Sequence, residues 1–488
     1  MARKVKLKPI SEQFIVDRMQ FENPWWVSGS IDADYDQLPR REYFKLFFPL
    51  VHERDVRRAV VLMGPRRVGK TVMMHHAIQA LIESQVQKQK VCYIGIDNPI
   101  YLNISLEQLF LLAIKASGAS DSREWYVFFD EIQYLKDWEL HLKVLVDRYP
   151  HTKFIASGSA AAALRLKSTE SGAGRFTEFM LPPLTFHEYV EMKGLGQLIR
   201  PSTVNWSGHT SDFYAAVNIK EINNHFIDYI NFGGYPEVIF SPKIQANPGR
   251  YIKSDIVDKV LLRDLPSLYG IQDVQELNAF FTMLAYYSGN EVSLDSLSKS
   301  SGVEKNLLKK YLEYLEAAFL IKVVHRIDDN AKRFQRASFY KVFLTNPSLR
   351  SALFSPLQAT DEALGNMVET AIFAQWLHRD WFTPWYARWS AGKVPGEVDM
   401  VGLDSKNFKP LWALEIKWSN RYFENPEELK SLLSFCEKNN LDSALVTTVD
   451  KEGSKTCRGI NLTFVPSSMY AYVVGANTLM QKRGRLDF

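Results

Sequence analysis

One short segment, GPRRVGKT at 64–71, constrains the fold of this chain more than any other part of its sequence. It matches the pattern GxxxxGK(S/T) and lies between an apolar stretch at 59–63 and a helical stretch at 72–82. Glycines allow such a loop to point several backbone N–H groups at one anion, at the positive end of a helix. The sequence therefore predicts a strand–loop–helix unit that binds the phosphates of ATP or GTP, and a chance match is the less favoured interpretation.

Two side chains of this loop have specific expected roles. Lys70 is expected to reach the β- and γ-phosphates, and the hydroxyl of Thr71 is expected to ligate Mg²⁺. ATP and Mg²⁺ are therefore the predicted ligands of the site. The residues predicted to contact the nucleotide are Gly64, Pro65, Arg66, Arg67, Val68, Gly69, Lys70, Thr71 and Val72.

Two acidic residues follow at the end of the apolar stretch YVFF, at positions 130 and 131. Asp130 is expected to hold Mg²⁺ through its water shell, and Glu131 to orient and polarise the attacking water. The alternative is a pair of acids that cap a strand and face solvent. Because the pair follows a phosphate loop along the chain, the catalytic interpretation is favoured.

Three further residues are weaker candidates for the same site. Ser159 follows the apolar stretch at 153–157, where a hydroxyl would sense the γ-phosphate; a simple Ser/Gly turn is the alternative. Arg175 is a candidate for an arginine that completes the site, within the chain or across a subunit interface, and a surface arginine explains it equally well. Arg263 is a weaker candidate of the same kind.

Apolar strands alternate with helical stretches between about residues 43 and 189, which predicts an α/β domain with a parallel sheet covered on both faces. Before this domain, Trp25 and Trp26 indicate an arm that packs on it, and stacking on an adenine is the less favoured alternative. The predicted strands are 59–63, 91–96, 126–130 and 153–157.

The middle of the chain changes to helical spacing, and residues 294–317 predict a helix–turn–helix with Gly302 in the turn. The apolar stripe of the second helix consists of Leu308, Tyr311, Leu312, Leu315 and Phe319. The opposite face, with Lys305, Lys309 and Lys310, is expected to meet DNA phosphates, and the strand that follows is expected to begin a wing. A solvated helix of a protein-interaction module remains the open alternative.

The C-terminal segment carries a second set of chemical groups. Asp399 lies on one predicted strand, and Glu415 and Lys417 lie two residues apart on the next, so they share a face. Two carboxylates can hold Mg²⁺, and an adjacent lysine can activate water or stabilise charge on a phosphate. Glu369, on the preceding amphipathic helix, would complete the carboxylate set.

The order of these motifs resembles that of a group of prokaryotic AAA+ ATPases with a winged-helix segment and a restriction-endonuclease-like C-terminal domain. The segments that carry the resemblance are GPRRVGKT, FFDEIQYLKDWELHLKVLVDRYP, FIASGSAAAAL, AGRFTEFMLPPLTFHEYV, FGGYPEV and LLRDL. The resemblance implies the roles given above for the phosphate loop, the two acids and the Ser/Gly sensor. It implies four parts: an N-terminal arm at 1–42, a phosphate-loop ATPase domain at 43–240, a helical lid and winged-helix segment at 241–355, and a nuclease-like α/β domain at 356–488.

The C-terminal set then corresponds to the PD-(D/E)xK nuclease pattern, as Glu369, Asp399, Glu415 and Lys417. Gly396 and Glu397 replace the proline that names the pattern. Two functions remain open. The first is a Mg²⁺-dependent ATPase whose ATP binding and hydrolysis control a nuclease-like domain that acts on DNA. The second is a nucleotide-switched regulator that binds DNA or protein and has a catalytically inactive nuclease-like fold.

Composition excludes several other classes of protein. Lys and Arg number 59 against 55 Asp and Glu, so no basic excess by itself indicates nucleic-acid binding. The three cysteines form no CxxC pair, and no apolar run approaches the roughly 18 residues of a membrane helix. The N-terminal segment has no apolar stretch typical of a signal peptide. We therefore expect a cytoplasmic protein without a membrane partner, with ATP as a ligand and with DNA binding and a homo-oligomer as open possibilities.

Overall fold

The computed structural model describes residues 11–101, 103–159, 174–206, 209–329, 339–379, 381–390 and 395–486. The chain divides into two compact units, Met1–Pro182 and Pro183–Phe488. The predicted boundaries near residues 240 and 355 both lie inside the second unit. Helices and strands are labelled below in chain order over the described residues.

A parallel sheet forms the centre of the first unit. Its strands are β1 Ala59–Met63, β2 Val91–Gly95, β3 Tyr126–Asp130, β4 Lys153–Gly158 and β5 Phe176–Met180. They run in the order β2-β3-β4-β1-β5, and every neighbouring pair is parallel. The predicted α/β fold with a parallel sheet is therefore confirmed. The sequence analysis missed β5 because this edge strand is half-exposed and includes Thr177 and Glu178, which interrupt any apolar run.

Helices surround this sheet. They are α1 Glu12–Glu22, α2 Trp25–Ser28, α3 Ala33–Asp36, α4 Phe44–His52, α5 Lys70–Glu83, α6 Leu106–Ser117 and α7 Trp138–Arg148. The indole N–H groups of Trp25 and Trp26 both donate to the carbonyl of Val91, each at 2.8 Å. Both tryptophans are buried. They therefore anchor the N-terminal helices to the edge strand β2, which agrees with the favoured interpretation of this pair.

The second unit contains a mixed sheet and a separate hairpin. The hairpin strands are β6 Ile199–Trp206 and β7 His209–Ala216. The sheet strands are β8 Glu291–Ser293, β9 Ile321–Ile327, β10 Phe339–Leu344, β11 Trp385–Trp389, β12 Gly396–Leu403, β13 Pro410–Glu415, β14 Ser443–Thr448, β15 Gly453–Cys457 and β16 Ile460–Pro466. Their order is β15-β16-β14-β13-β12-β11-β9-β10-β8, so a parallel contact of β9 with β11 joins the hairpin of β9 and β10 to the C-terminal strands.

The helices of the second unit pack around this sheet. They are α8 Phe186–Met192, α9 Ile219–Phe232, α10 Pro236–Phe240, α11 Pro242–Gln245, α12 Leu265–Tyr269, α13 Val274–Tyr286, α14 Leu294–Ser301, α15 Lys305–Ala317, α16 Ser348–Leu353, α17 Leu364–Trp376, α18 Arg421–Glu424, α19 Lys430–Asn439 and α20 Ser467–Leu486. Two π-helical segments, Gly249–Asp258 and Val260–Asp264, precede α12. Helix α17 is buried along most of its length and forms the centre of the core. Among the described residues, no helix is long and apolar enough to span a membrane.

The predicted helix–turn–helix corresponds to α14 and α15. Gly302 follows α14 with φ +75°, a left-handed conformation that glycine adopts without a steric cost. Helix α15 buries Leu308, Tyr311, Leu312 and Leu315, as the stripe predicts. Phe319 does not extend this stripe, because α15 ends at Ala317 and Phe319 itself has φ +56°. The antiparallel pair β9 and β10 follows the two helices.

Candidate functional site

The phosphate loop links the end of β1 to the first turn of α5. Gly69 has φ +93° and precedes the helix, while Arg67 has φ +113°, which is rare for a residue with a side chain. At Gly64 a Cβ atom would lie 2.2 Å from the carbonyl oxygen of Leu181, so only glycine fits there. The backbone is thus held in an unusual conformation where an anion would meet the N-terminus of α5.

Lys70 lies at the start of α5 with only 6% of its surface exposed. Its ammonium group donates to the carbonyls of Gly64, at 3.0 Å, and Pro65, at 2.9 Å. The side chain therefore folds back over the loop to which it belongs. Neutral carbonyls satisfy the ammonium group in part, and a phosphate would be a stronger partner because it is charged.

Asp130 ends β3 and is the buried acid of this site. One carboxylate oxygen, Oδ2, accepts from the hydroxyls of Thr71, at 2.7 Å, and Tyr93, at 2.8 Å. The other, Oδ1, accepts from the hydroxyl of Ser157 and from the backbone N–H of Glu131. The structure thus brings together Thr71 and Asp130, the two side chains expected to bind Mg²⁺. Tyr93 and Ser157 were not among the predicted site residues.

A short chain of hydrogen bonds connects Glu131 to Ser159. The side-chain amide of Gln133 donates to the Glu131 carboxylate, and its oxygen accepts from the backbone N–H of Ser159 at 3.1 Å. The hydroxyl of Ser159 is buried and has no hydrogen-bond partner among the described residues. Gln133 was also missed by the sequence analysis, because a glutamine two residues after an acid is no signal by itself.

The structure does not bring Arg175 to the loop of its own chain. The carbonyl of Arg175 accepts from the backbone N–H of Ala59 at the start of β1, whereas the loop follows the other end of that strand. Four residue steps along a strand span roughly 13 Å. The guanidinium forms an exposed ion pair with Asp147 at 2.5 Å. Arg263 lies in the second unit, in the segment Val260–Asp264.

His75, on the helix that follows the loop, packs against aromatic rings. The ring of His75 stacks on Tyr35 with 3.9 Å between centroids, and it lies 4.7 Å from the ring of Tyr93. Burial lowers the pKa of His75 to about 4, so the ring is neutral at pH 7. No group of three or more His, Cys, Asp or Glu side chains is arranged to hold a metal ion in the described parts of the chain.

A second site forms where β12 and β13 lie side by side. Met400 pairs with Leu414, so Asp399 and Glu415 lie at the next opposed position. The ammonium group of Lys417 is 2.8 Å from Glu415 Oε1 and 3.2 Å from Asp399 Oδ2. The remaining oxygen, Glu415 Oε2, is buried and has no hydrogen-bond partner among the residues that the structure describes.

A second lysine, which the sequence analysis did not predict, completes this cluster. Lys341 on β10 has 2% of its surface exposed. Its ammonium group is 2.8 Å from Glu369 Oε1, 2.7 Å from Glu397 Oε1 and 3.9 Å from Asp399 Oδ1. All four predicted residues, Glu369, Asp399, Glu415 and Lys417, therefore lie in one cluster. We call this set, together with Lys341 and Glu397, the carboxylate–lysine cluster.

Burial and neighbouring charges shift the acids of this cluster in opposite directions. Burial and the charge of Asp399 raise the pKa of Glu369 and of Glu415 to about 7 in each case. For Asp399, burial opposes the effect of Lys417 and Lys341, and the two ammonium groups hold its pKa below the usual value. Asp399 therefore keeps its negative charge more readily than Glu369 and Glu415 do.

Three lysines lie on the exposed face of α15, and one of them forms an ion pair. Lys309 and Lys310 are exposed to solvent. Lys305 forms an ion pair with Asp295, which lies on the preceding helix α14. This face is therefore basic but partly neutralised.

Two family models match parts of this chain. Residues 56–190 match the family described as "AAA domain", and residues 223–362 match "Domain of unknown function (DUF8612)". Residues 56–190 are therefore similar to an AAA domain, and the loop at 64–71 and Asp130 lie within this segment. Of the carboxylate–lysine cluster, Lys341 lies within the second match, and the other five residues lie outside both.

Two relatives cover most of the chain. An "Uncharacterized protein" of Haemophilus influenzae is 24% identical over 408 residues, which are 82% of this chain and 91% of that protein. An uncharacterized protein of Methanocaldococcus jannaschii is 22% identical over 329 residues, 66% of this chain and 68% of that protein.

Solved structures show only a weak likeness. The Aeropyrum pernix Orc1 protein in complex with DNA has a TM-score of 0.33 at 11% identity, covering 67% of this chain and 95% of that one. Cdc6p from Pyrobaculum aerophilum has a TM-score of 0.25 at 13% identity, covering 72% and 95%. These scores are too low to establish a shared fold.

Proposed function

We propose that this protein is a Mg²⁺-dependent ATPase whose nucleotide state controls DNA cleavage at the carboxylate–lysine cluster. The observation that carries the ATPase part is the 2.7 Å hydrogen bond between Thr71 and Asp130, beside a phosphate loop of unusual conformation. It brings two oxygen ligands together at the N-terminus of a helix. Oxygen atoms are the donors that Mg²⁺ prefers, so these side chains fit the ion.

The residues of the loop have separable roles in this proposal. Lys70 leaves the carbonyls of Gly64 and Pro65 to bind the β- and γ-phosphates, and backbone N–H groups of the loop bind the remaining oxygens. Mg²⁺, when bound, neutralises charge that develops on the phosphates. Thr71 and Asp130 hold the ion. Each of these groups acts by position and charge, with no covalent step on the protein.

Glu131 is the residue that we assign to the attacking water. Its carboxylate is held by Gln133, which also contacts the backbone of Ser159. A change at Ser159 on binding the γ-phosphate would therefore reach Glu131 through a single side chain. Arg175 lies away from the loop of its own chain, so in a homo-oligomer it is a candidate for the loop of a neighbouring copy.

The experiment for this part compares ATP turnover in wild type and Glu131→Gln. Glutamine keeps the shape of the side chain but cannot polarise water as a carboxylate does. We expect turnover to fall by about 100-fold or more, with ATP binding unchanged. Gln85→Glu, an exposed change on the same unit, serves as the control. Equal turnover in Glu131→Gln and wild type would contradict the role of Glu131.

The DNA-cleaving part is supported by the order of elements around the cluster. Helix α17 supplies Glu369, and strands β11, β12 and β13, helix α19 and strand β14 follow in sequence. This order and the four acidic and basic residues resemble the PD-(D/E)xK nucleases. Asp399 and Glu415 offer oxygen ligands, and the unpartnered Glu415 Oε2 fits a divalent cation. Lys417 would then activate a water or stabilise phosphate charge.

DNA binding is proposed for α14, α15 and the pair β9 and β10. Two helices followed by an antiparallel pair are typical of a winged helix, and α15 is in the position of the helix that enters the groove. Exposed Lys309 and Lys310 are suited to phosphate contacts. The same unit thus carries a candidate DNA-binding surface and a candidate cleavage site.

The alternative is a nucleotide-switched regulator with an inactive cluster. One observation favours it: Lys341 and Lys417 already neutralise most of the carboxylate oxygens that a metal would need. In that case the ion pairs would only hold the sheet together. The ATPase part of the proposal is the same under both alternatives.

Plasmid nicking separates these two functions. We expect wild type to nick supercoiled DNA with Mg²⁺ or Mn²⁺, with a rate that depends on ATP, and Lys417→Ala to lose about 100-fold or more of this rate. Lys438→Ala is a matched control, because Lys438 on α19 forms an exposed ion pair with Asp329 outside both the cluster and the candidate DNA-binding surface. If wild type and Lys417→Ala leave DNA equally intact under all conditions, the cleavage function is excluded and the regulator remains.

A further inference from the structure

The carboxylate–lysine cluster consists of two halves that share Asp399. Oδ2 of Asp399 faces Lys417, at 3.2 Å, and also accepts from the backbone N–H of Ile416. Oδ1 of the same carboxylate faces Lys341, at 3.9 Å. Glu415 belongs to the first half. Asp399 thus presents one oxygen to each of two cationic groups.

The second half is built around the ammonium group of Lys341. This group is within hydrogen-bond distance of Glu369 Oε1 and Glu397 Oε1. Glu397 is also 3.4 Å from Arg388, near the exposed side of the cluster. Lys341 itself is almost completely buried. Because a buried ammonium group is stable only when it is paired, this position is specific for a cation.

The arrangement places two ammonium groups near the two oxygens of one carboxylate. In two-metal enzymes, a pair of cations a few ångströms apart is clamped by oxygen ligands around one phosphate. In this chain the cation at the second position is the ammonium group of Lys341 on β10. Strand β10 lies outside the segment 364–448, which carries the acids of the cluster. The first position differs, because Glu415 is buried and its Oε2 has no hydrogen-bond partner among the described residues.

We propose that Lys341 takes the place of a second metal ion, so that the cluster binds a single divalent cation, at Asp399 and Glu415. The positions of Glu369 and Glu397 are then fixed by the chain's own ammonium group. This inference rests on the proposed function in one respect, namely that Asp399 and Glu415 bind a divalent cation. It adds that the number of ions bound is set by Lys341.

The test counts the Mn²⁺ ions that the full chain binds. The protein is first stripped of metal with EDTA, the EDTA is removed, and the Mn²⁺ that stays free after its addition is measured by electron paramagnetic resonance. All proteins carry Asp130→Asn, so that the ATPase site contributes no binding. We expect the parent protein to bind one Mn²⁺ and Lys341→Gln to bind two, since removal of the ammonium group leaves Glu369 Oε1, Glu397 Oε1 and Asp399 Oδ1 without the cation that they face. Lys322→Gln, which removes an exposed lysine of the same sheet, is expected to bind one.

Two results would overturn the inference in different ways. One ion in Lys341→Gln, or two in the parent, would contradict the role of Lys341 and leave the proposed cleavage site intact. No Mn²⁺ bound by the parent would contradict the metal site of the proposed function itself, and the inference with it.

A second variant avoids dependence on the folding of Lys341→Gln. Glu397 is partly exposed, and its replacement removes one partner of Lys341 without burying a new charge. If Lys341 occupies the second position, Glu397→Gln keeps one Mn²⁺ with an affinity within about threefold of the parent, whereas Glu415→Gln weakens it by about tenfold or more. An equal loss in Glu397→Gln and Glu415→Gln would show that both halves hold the metal and would overturn the inference.

Discussion

Asp130 and Glu415 are both buried carboxylates, but their partners differ. Asp130 accepts from three hydroxyls and one backbone N–H, all neutral donors that stabilise the anion without cancelling its charge. Glu415 has one charged partner, Lys417, and one oxygen with no partner among the described residues. Asp130 can therefore bind a cation without first losing a charged partner. Glu415 must release Lys417 or a proton before it binds a cation.

His75 gives a pH dependence that can be measured. Burial holds the pKa of His75 at about 4, against 6.5 in the unfolded chain. Between these two values the unfolded state binds more protons than the folded state, so stability is lost as the pH falls from about 6.5 to about 4. The full loss is about 3 kcal/mol in the free energy of unfolding.

We expect His75→Phe to remove most of this loss while keeping the stacking on Tyr35. The measurement is urea unfolding of both proteins at several pH values between 4 and 7. The difference between the two proteins isolates His75, because every other titrating group is the same. A difference that does not change with pH would contradict the assignment of a neutral, buried His75.

Strand alternation and helix periodicity allowed much of both sites to be predicted from the sequence. The loop, Asp130 and Glu415 lie at the ends of apolar strands, whereas Glu369 and Asp399 lie inside α17 and β12 and were predicted from the short acid–lysine pattern and its position after a helix. Lys341 was not predictable, because its contribution depends on the pairing of β10 with β9 and of β9 with β11. Long-range pairing leaves no local signal.

Individual elements show where sequence patterns no longer predict the structure. The helix–turn–helix predicted at 294–317 corresponds to α14 and α15, which together begin at Leu294 and end at Ala317. Gly302 marked the turn, and the apolar stripe marked the second helix. The edge strand β5 was missed, and with it the placement of Arg175 at the far end of the sheet from the loop. An exposed edge strand has no apolar run, so its residues resemble a loop.

Helix α15 carries the prediction for DNA binding. Lys309→Ala with Lys310→Ala removes two exposed positive charges and leaves the buried stripe unchanged. We expect weaker binding to duplex DNA of any sequence, with the slope of log K against log salt reduced by about 2. Fluorescence anisotropy at several salt concentrations measures both quantities.

The matched control replaces Lys220 and Lys243, two exposed lysines of α9 and α11, by alanine. This pair removes the same charge from the same unit. Equal loss of DNA affinity in both double variants would mean that only net charge matters, and it would contradict a specific role for α15.

The two candidate sites lie differently relative to the two family matches. The AAA match covers residues 56–190, and a second match covers residues 223–362. The carboxylate–lysine cluster draws on both sides of the second boundary, with Lys341 before it and Glu369 after it. Strand β10 thus carries Lys341 of the cluster and is also part of the candidate DNA-binding surface, so the proposed binding and the proposed cleavage belong to one sheet.

The most direct test of this account is isothermal titration of ATP with Mg²⁺ into wild type and Lys70→Ala. Lys70 carries the ammonium group that we expect to bind the β- and γ-phosphates. Lys88, a partly exposed lysine outside the loop that donates to the carbonyl of Val27, provides the control variant Lys88→Ala. We expect one ATP per chain for wild type and Lys88→Ala, and an affinity weaker by about 100-fold or more for Lys70→Ala. No ATP binding to folded wild type, or equal binding in Lys70→Ala, would contradict the account.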